Sequence, residues 1–228
     1  MRKPREGGRH EPRTAPCEHL AKRVAEFQAQ GQPVVSVDAK KKELVGTFAT
    51  TGREGPPAGR PEAVNVHAFV DKELGKVTPY GVYDRPHNVG WVSVGIAPDT
   101  AEFAVPTLLR WWPELGQSPS PTAPRLLITA AGGGSHGSRV RLWTVALQEF
   151  APRTGLTVWV RHFPPGTSQG NKIEHRMGSP IRLNGRGRAR ASRQIIVSRI
   201  GETTAKTGLK IRAAVDEGSY PTGREVPD

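Results

Sequence analysis

The chain has 228 residues, 36% of them apolar, with 26 Gly and 21 Pro, which suits one full domain or one with a short appendage. No apolar stretch approaches a membrane span, none follows the basic start Met1-Arg2-Lys3-Pro4-Arg5 as a secretory signal would, and a lone Cys17 excludes a disulfide framework or cysteine-cluster zinc site. A net charge of +12, from 33 Lys+Arg against 21 Asp+Glu, and a pI near 10.4 point to a polyanionic partner.

Met1 to Pro16 has no periodicity and reads as a solvated tail. From Glu18 to Gln30, Leu20, Val24 and Phe27 recur at helical spacing and suit a short packing helix. Strands are expected at 33–38, which ends in Asp38, and at 46–50, 63–69, 77–83 and 90–95, with Arg85-Pro86-His87-Asn88 turning the last pair. Asp99-Thr100 then opens a helix whose apolar side carries Phe103, Leu108, Trp111 and Trp112 before Gly116. The second half alternates: strand 125–130, helix 138–154, strand 156–160, a helix starting in 171–177, a basic loop over 185–190, and a last helix or strand from 195–200 and 203–211. This order predicts a mixed α/β domain around one central sheet.

Four constellations carry chemistry. Gly132 to Gly137 satisfies G-x-G-x-x-G between a strand and a helix, where backbone amides could cradle a pyrophosphate. The next strand, however, runs into Arg161-His162 rather than the ribose-binding acid, so a plain loop is preferred to an oxidoreductase nucleotide site. Asp38 at a strand end and Glu174 on a helix could hold a hard divalent cation, although a strand-end cap and a pairing with Lys172 or Arg176 are the simpler readings. Arg182, Arg186, Arg188, Arg190, Arg193 and Arg199 lie in a stretch without acids, and Lys40, Lys41 and Lys42 follow Asp38. These cations suit contacts that position a phosphate backbone without reading its sequence. His67, His87, His162 and His175 show no paired ligand spacing and read as packing or tuning residues.

Several long stretches resemble the Rhodopirellula-type DDE transposases of bacterial insertion sequences. They are Pro33-Val34-Val35-Ser36-Val37-Asp38 with Lys40 to Gly46, Pro79-Tyr80-Gly81-Val82-Tyr83-Asp84, Asp99 to Val105, Leu126 to Ala130, and His162 to Ser168 leading to Asn171-Lys172-Ile173-Glu174-His175-Arg176. The likeness runs from about Glu18 to the C-terminus, with residues 1–30 expected to be the remnant of a longer N-terminal DNA-binding region and 31–228 the catalytic domain.

The resemblance implies an RNase H-like α/β fold, an antiparallel meander followed by alternating helices and strands. It also implies three carboxylates holding two Mg²⁺ ions, on the first strand, after the fourth and on a later helix. Asp38 and Glu174 match the first and last. The middle position falls on Ala131 in Ala130-Ala131-Gly132-Gly133-Gly134-Ser135-His136-Gly137, so one ligand is missing and the second ion is in doubt. Gly55, Gly170 and Gly185 stand where the family has tryptophan, Gly178 where it has an aromatic, and Ala68 where it tends to have Asp. The implied function is DNA cleavage and strand transfer, impaired at Ala131, with a non-catalytic DNA-binding remnant as the alternative. The implied partners are insertion-sequence ends and target DNA, with a homo-oligomer on DNA, no membrane, and a cytoplasmic, nucleoid-associated location.

Overall fold

The computed structural model describes residues 14–39, 43–44, 76–96, 100–133, 137, 140–164, 171–185 and 192–220. Seven strands appear among them: β1 (Val34–Ala39), β2 (Glu43–Leu44), β3 (Lys76–Asp84), β4 (Val89–Gly95), β5 (Arg125–Ala130), β6 (Thr157–His162) and β7 (Lys210–Asp216). The sheet order is β6-β5-β1-β3-β4-β7, with the short β2 pairing β3. β1, β3 and β4 form the antiparallel meander, while β5 and β6 extend it parallel to β1 and β7 lies parallel to β4. The mixed α/β architecture expected from the sequence is the one observed. The expected strands at 46–50 and 63–69 lie outside the described residues.

The helices follow from simple local causes. α1 (Thr14–Ala29) presents Leu20, Val24 and Phe27 to Val34, Leu127 and Phe163. The expected tail therefore gives way to helix at Thr14, since Pro16 stands in the first turn, where its missing N–H has no partner to lose. α2 (Ala101–Trp111) starts after the extended Thr100 and passes into a π-helical turn, Trp112–Gly116, containing Pro113. α3 (Arg141–Thr154) stops at Gly155, whose φ of 72° is the left-handed cap that glycine adopts freely. α4 (Ser179–Asn184) continues a π-helical turn, Glu174–Gly178, and α5 (Arg193–Gly201) is capped by Ser192 Oγ, which accepts from Ile195 N at 3.2 Å. The last strand comes later than the 203–211 region suggested.

Two cores flank the sheet. α2 and α3 cover one face, burying Phe103, Leu108, Trp111, Trp143 and Phe150 against Val35, Val37, Leu126 and Ile128. On the other face α1 covers β1 and β5, while Ile173, Met177, Ile196 and Ile200 cover β3, β4 and β7. No helix among the described residues is long and apolar enough to cross a membrane.

Candidate catalytic cleft

Strand alternation decides where Asp38 points. Val35 and Val37 enter the core under α2 and α3, so Val34, Ser36 and Asp38 share the opposite face. The antiparallel register sets Asp38 across from Gly81. A Cβ on Gly81 would stand 2.5 Å from Met177 Cε and 3.1 Å from Ile173 Cδ1, and one on Gly90 would strike Met177 Sδ. These two glycines thus let the helix bearing Glu174 lie close on the sheet beside Asp38.

Glu174 begins the π-helical turn, where Ser179 N–H reaches back to the Glu174 carbonyl. The wider turn accommodates Pro180, whose ring would clash with a carbonyl four residues back in a regular helix. Asp38 and Glu174, both half-buried, line one cleft of about 390 Å³ with His175, Ser179 and Arg182 at its polar side. Apolar Ile173, Met177 and Ile200 form much of the rest. The geometry brings together two carboxylates drawn from distant parts of the chain.

Ala131 completes the picture by what it lacks. β1 pairs β5 in parallel up to Val37 opposite Ala130, and that register carried one residue past the end of β5 would set Ala131 level with Asp38, beyond the Ser36–Thr129 pair. Its methyl offers no oxygen. Among the described residues no group of three or more His, Cys, Asp or Glu converges as a metal site. Two carboxylates fit one Mg²⁺, which commonly keeps several waters and takes one or two carboxylates. They do not fit a pair of ions.

The other candidates disperse. Lys40, Lys41, Lys42, Arg186, Arg188 and Arg190 lie outside the described residues, as do His67, His136, Asp99, Gly55, Ala68 and Gly170. Arg182 is exposed at the cleft, and Arg193 opens α5 half-buried. Arg199, in the last turn of α5, gives its carbonyl to Asn184 Nδ2 at 2.8 Å and Thr203 Oγ1 at 3.0 Å. His162 pairs in register with Ala130 and faces the α3 side, away from Asp38, whereas His175 lines the cleft. His87 sits in the β3–β4 turn, its ring Nδ1 3.0 Å from the fully buried Asp84 carboxylate. Burial raises the Asp84 carboxyl above its usual range, and the hydrogen bonds from His87 oppose that rise. Sequence reasoning passed over Asn171 as a candidate, although it stands three residues before Glu174 and is fully buried.

The Gly132–Gly137 motif precedes α3 in a β5–α3–β6 unit, but β5's other neighbour, β1, joins an antiparallel meander rather than a second parallel half. The doubly wound sheet needed by a dinucleotide site is not present among the described residues.

A family model described as the Rhodopirellula transposase DDE domain matches residues 1–228. Among curated proteins, none matches. A solved structure of the Mos1 mariner paired end complex with Mn is similar at a TM-score of 0.52 and 14% identity, over 86% of this chain and 56% of that one. A pre-cleavage Mos1 transpososome is similar at a TM-score of 0.46 and 16% identity, over 86% and 58%. The chain thus spans little more than half the length of these solved relatives. The first likeness identifies the fold as RNase H-like.

Proposed function

The chain belongs to the Rhodopirellula transposase DDE domain family, and from that premise we propose that it engages DNA across the Asp38–Glu174 cleft as a transposase domain impaired in cleavage and strand transfer. The observation that carries this reading is the shared cleft of Asp38 and Glu174, with Ala131 just past the end of the neighbouring strand β5. Asp38 and Glu174 would hold the cation, and a bound Mg²⁺ would supply positive charge at the scissile phosphate and a more acidic water. Arg182, exposed at the same cleft, would orient the phosphate backbone by charge-assisted hydrogen bonds. The basic residues Lys40, Lys41, Lys42, Arg186, Arg188, Arg190 and Arg193 would extend that contact along the duplex.

Ala131 sets the level of activity. Without an oxygen there, the second cation of a two-ion site loses an anionic ligand, and catalysis that depends on charge and geometry falls with it. The same residue favours the second reading, a DNA-binding domain without catalysis, acting where the DNA is and as a homo-oligomer on the element's ends. The test is a nicking and strand-transfer assay on those ends with Mg²⁺ or Mn²⁺, comparing the unmodified chain, Ala131→Asp and Asp38→Asn. We expect DNA binding by all three, near-background chemistry by the first, and a gain with Ala131→Asp. Vigorous strand transfer by the unmodified chain that survives Asp38→Asn would refute the assignment.

A further inference from the structure

The helix that carries Glu174 is tied to the strand that carries Asp38 by one buried side chain. Asn171 is fully buried. Its Nδ2 donates to the carbonyl of Val37, 134 residues away in sequence and the residue just before Asp38, at 3.4 Å. Its own backbone carbonyl accepts from Glu174 N at 3.3 Å, opening the first turn of that helix. Asn171 thus sits just before the helix, three residues ahead of Glu174.

The amide cannot be turned round, because only the NH₂ group can meet the Val37 carbonyl. Its Oδ1 is left buried, with no hydrogen-bond partner among the described residues. A buried carbonyl oxygen without a partner is disfavoured and calls for a specific cause, such as an ion or an ordered water. Hard divalent cations accept amide carbonyl oxygens as well as carboxylates.

We propose that Asn171 Oδ1 is a third protein oxygen of the cation site, joining Asp38 and Glu174 where Ala131 contributes nothing. The inference rests on the reading of Asp38 and Glu174 as the pair that holds the cation. It makes the site a two-carboxylate, one-amide set with less negative charge than three carboxylates would give. Such a site retains one divalent ion while remaining poor at holding two. It also gives the long hydrogen bond to Val37 a role: the strand carbonyl fixes the NH₂ end of the amide, which leaves Oδ1 as the end free to meet a cation.

The experiment is Mn²⁺ binding to the full chain, read by the loss of the free-ion paramagnetic resonance signal, for the unmodified protein, Asn171→Ala, Asn171→Asp and Asp38→Asn. Both Asn171 variants lose the NH₂ bond to Val37, so a purely structural role weakens Mn²⁺ binding equally in the two. The proposal requires Asn171→Ala to weaken binding about tenfold or more, while Asn171→Asp, which keeps an oxygen and adds charge, binds as tightly as the unmodified chain or more tightly. Unchanged affinity in Asn171→Ala, or equal weakening in both variants, overturns it. Should Asn171→Ala not fold, Asn171→Asp decides alone, and binding weaker than that of the unmodified chain overturns the proposal. If Asp38→Asn leaves Mn²⁺ binding intact, or the unmodified chain binds none, the underlying carboxylate pair falls and this inference falls with it. Loss in Asp38→Asn with no loss in Asn171→Ala removes Asn171 alone.

Discussion

Ser36 Oγ and Thr129 Oγ1 lie 2.8 Å apart across the parallel β1–β5 pair, both fully buried. Thr129 Oγ1 also donates to the Val35 carbonyl at 3.0 Å, so the shared proton between the two hydroxyls comes from Ser36. This polar rung stands two residues before Asp38 and Ala131, on the same sheet face, and locks the register of the strands that end at the cleft. Thr129→Val should cost about 1–3 kcal/mol, because it strands a buried serine hydroxyl as well as removing a bond. Adding Ser36→Ala should cost less than the sum of the two single changes, as neither hydroxyl is then left alone. Urea unfolding of the three variants measures this, and strictly additive losses would deny the coupling.

Met177 lies over Gly81 of β3 and Gly90 of β4, where an added Cβ would crowd its Cε and Sδ. Gly81→Ala should therefore destabilise by about 1–3 kcal/mol through overpacking and displace the Glu174 helix. Met177→Ala in that background should recover part of the loss, although alone it leaves a cavity costing about 2–5 kcal/mol. Thermal unfolding of the single and double variants decides the matter. A Gly81→Ala loss that Met177→Ala deepens rather than relieves would place the strain elsewhere.

Much of this arrangement could be read before the structure, for physical reasons that differ by element. β1 was legible because four buried, mostly β-branched residues run directly into a lone carboxylate. The β3–β4 hairpin was legible from Arg85-Pro86-His87-Asn88, where Asn88 adopts the left-handed φ of 53° that asparagine tolerates. The length of the Glu174 helix was not, since Gly178 and Pro180 both read as breakers. The π-helical turn absorbs the proline, and Met177 in that turn packs over Gly81, a contact no local pattern reveals. β7 was misplaced because Thr203 to Leu209 shows no alternation, whereas its pairing with β4 is fixed by a parallel register from Val89–Lys210 to Gly95–Asp216. Asn171 was invisible as a site residue because a buried amide declares itself only through its partners.

The end of β7 should make stability fall at high pH. Burial, followed by the hydrogen bond to Asp216, pushes the Tyr220 hydroxyl up to about 12 from a usual value of 10.0, and its Oη lies 3.0 Å from the buried Asp216 Oδ2. Below pH 10 the proton is present in both folded and unfolded chains, so stability is unaffected there. Between about 10 and 12 the unfolded tyrosine loses its proton while the folded one keeps it, and stability drops as pH rises. Tyr83, also raised by burial, acts in the same direction. Tyr220→Phe should therefore reduce the slope of stability against pH in that window without abolishing it. Equal slopes for the two proteins in denaturant titrations at stepped pH would show that Tyr220 ionises normally.

DNA affinity should depend on salt and distinguish Arg182 from the basic segment that follows it. Each neutralised phosphate releases counterions, so the logarithm of the binding constant should fall linearly with the logarithm of salt concentration. Arg182 is exposed at the cleft that holds Asp38 and Glu174, where on the proposed reading it would offer the phosphate a cation. Arg182→Ala should weaken binding to all sequences alike and reduce the salt slope by about 1, the signature of one lost phosphate contact. Replacing Arg186, Arg188 and Arg190 together should reduce the slope by about 3 if each makes one contact. Only the Arg182 change should also alter the response to Mg²⁺: with the cation bound, the carboxylates repel the backbone less, so the loss from Arg182→Ala should shrink as Mg²⁺ is added at constant ionic strength. The triple change should show no such relief. Fluorescence anisotropy with a labelled duplex, with and without Mg²⁺, provides both slopes. A deficit in Arg182→Ala that is indifferent to Mg²⁺ would separate this arginine from the carboxylate site and leave it as one surface cation among many.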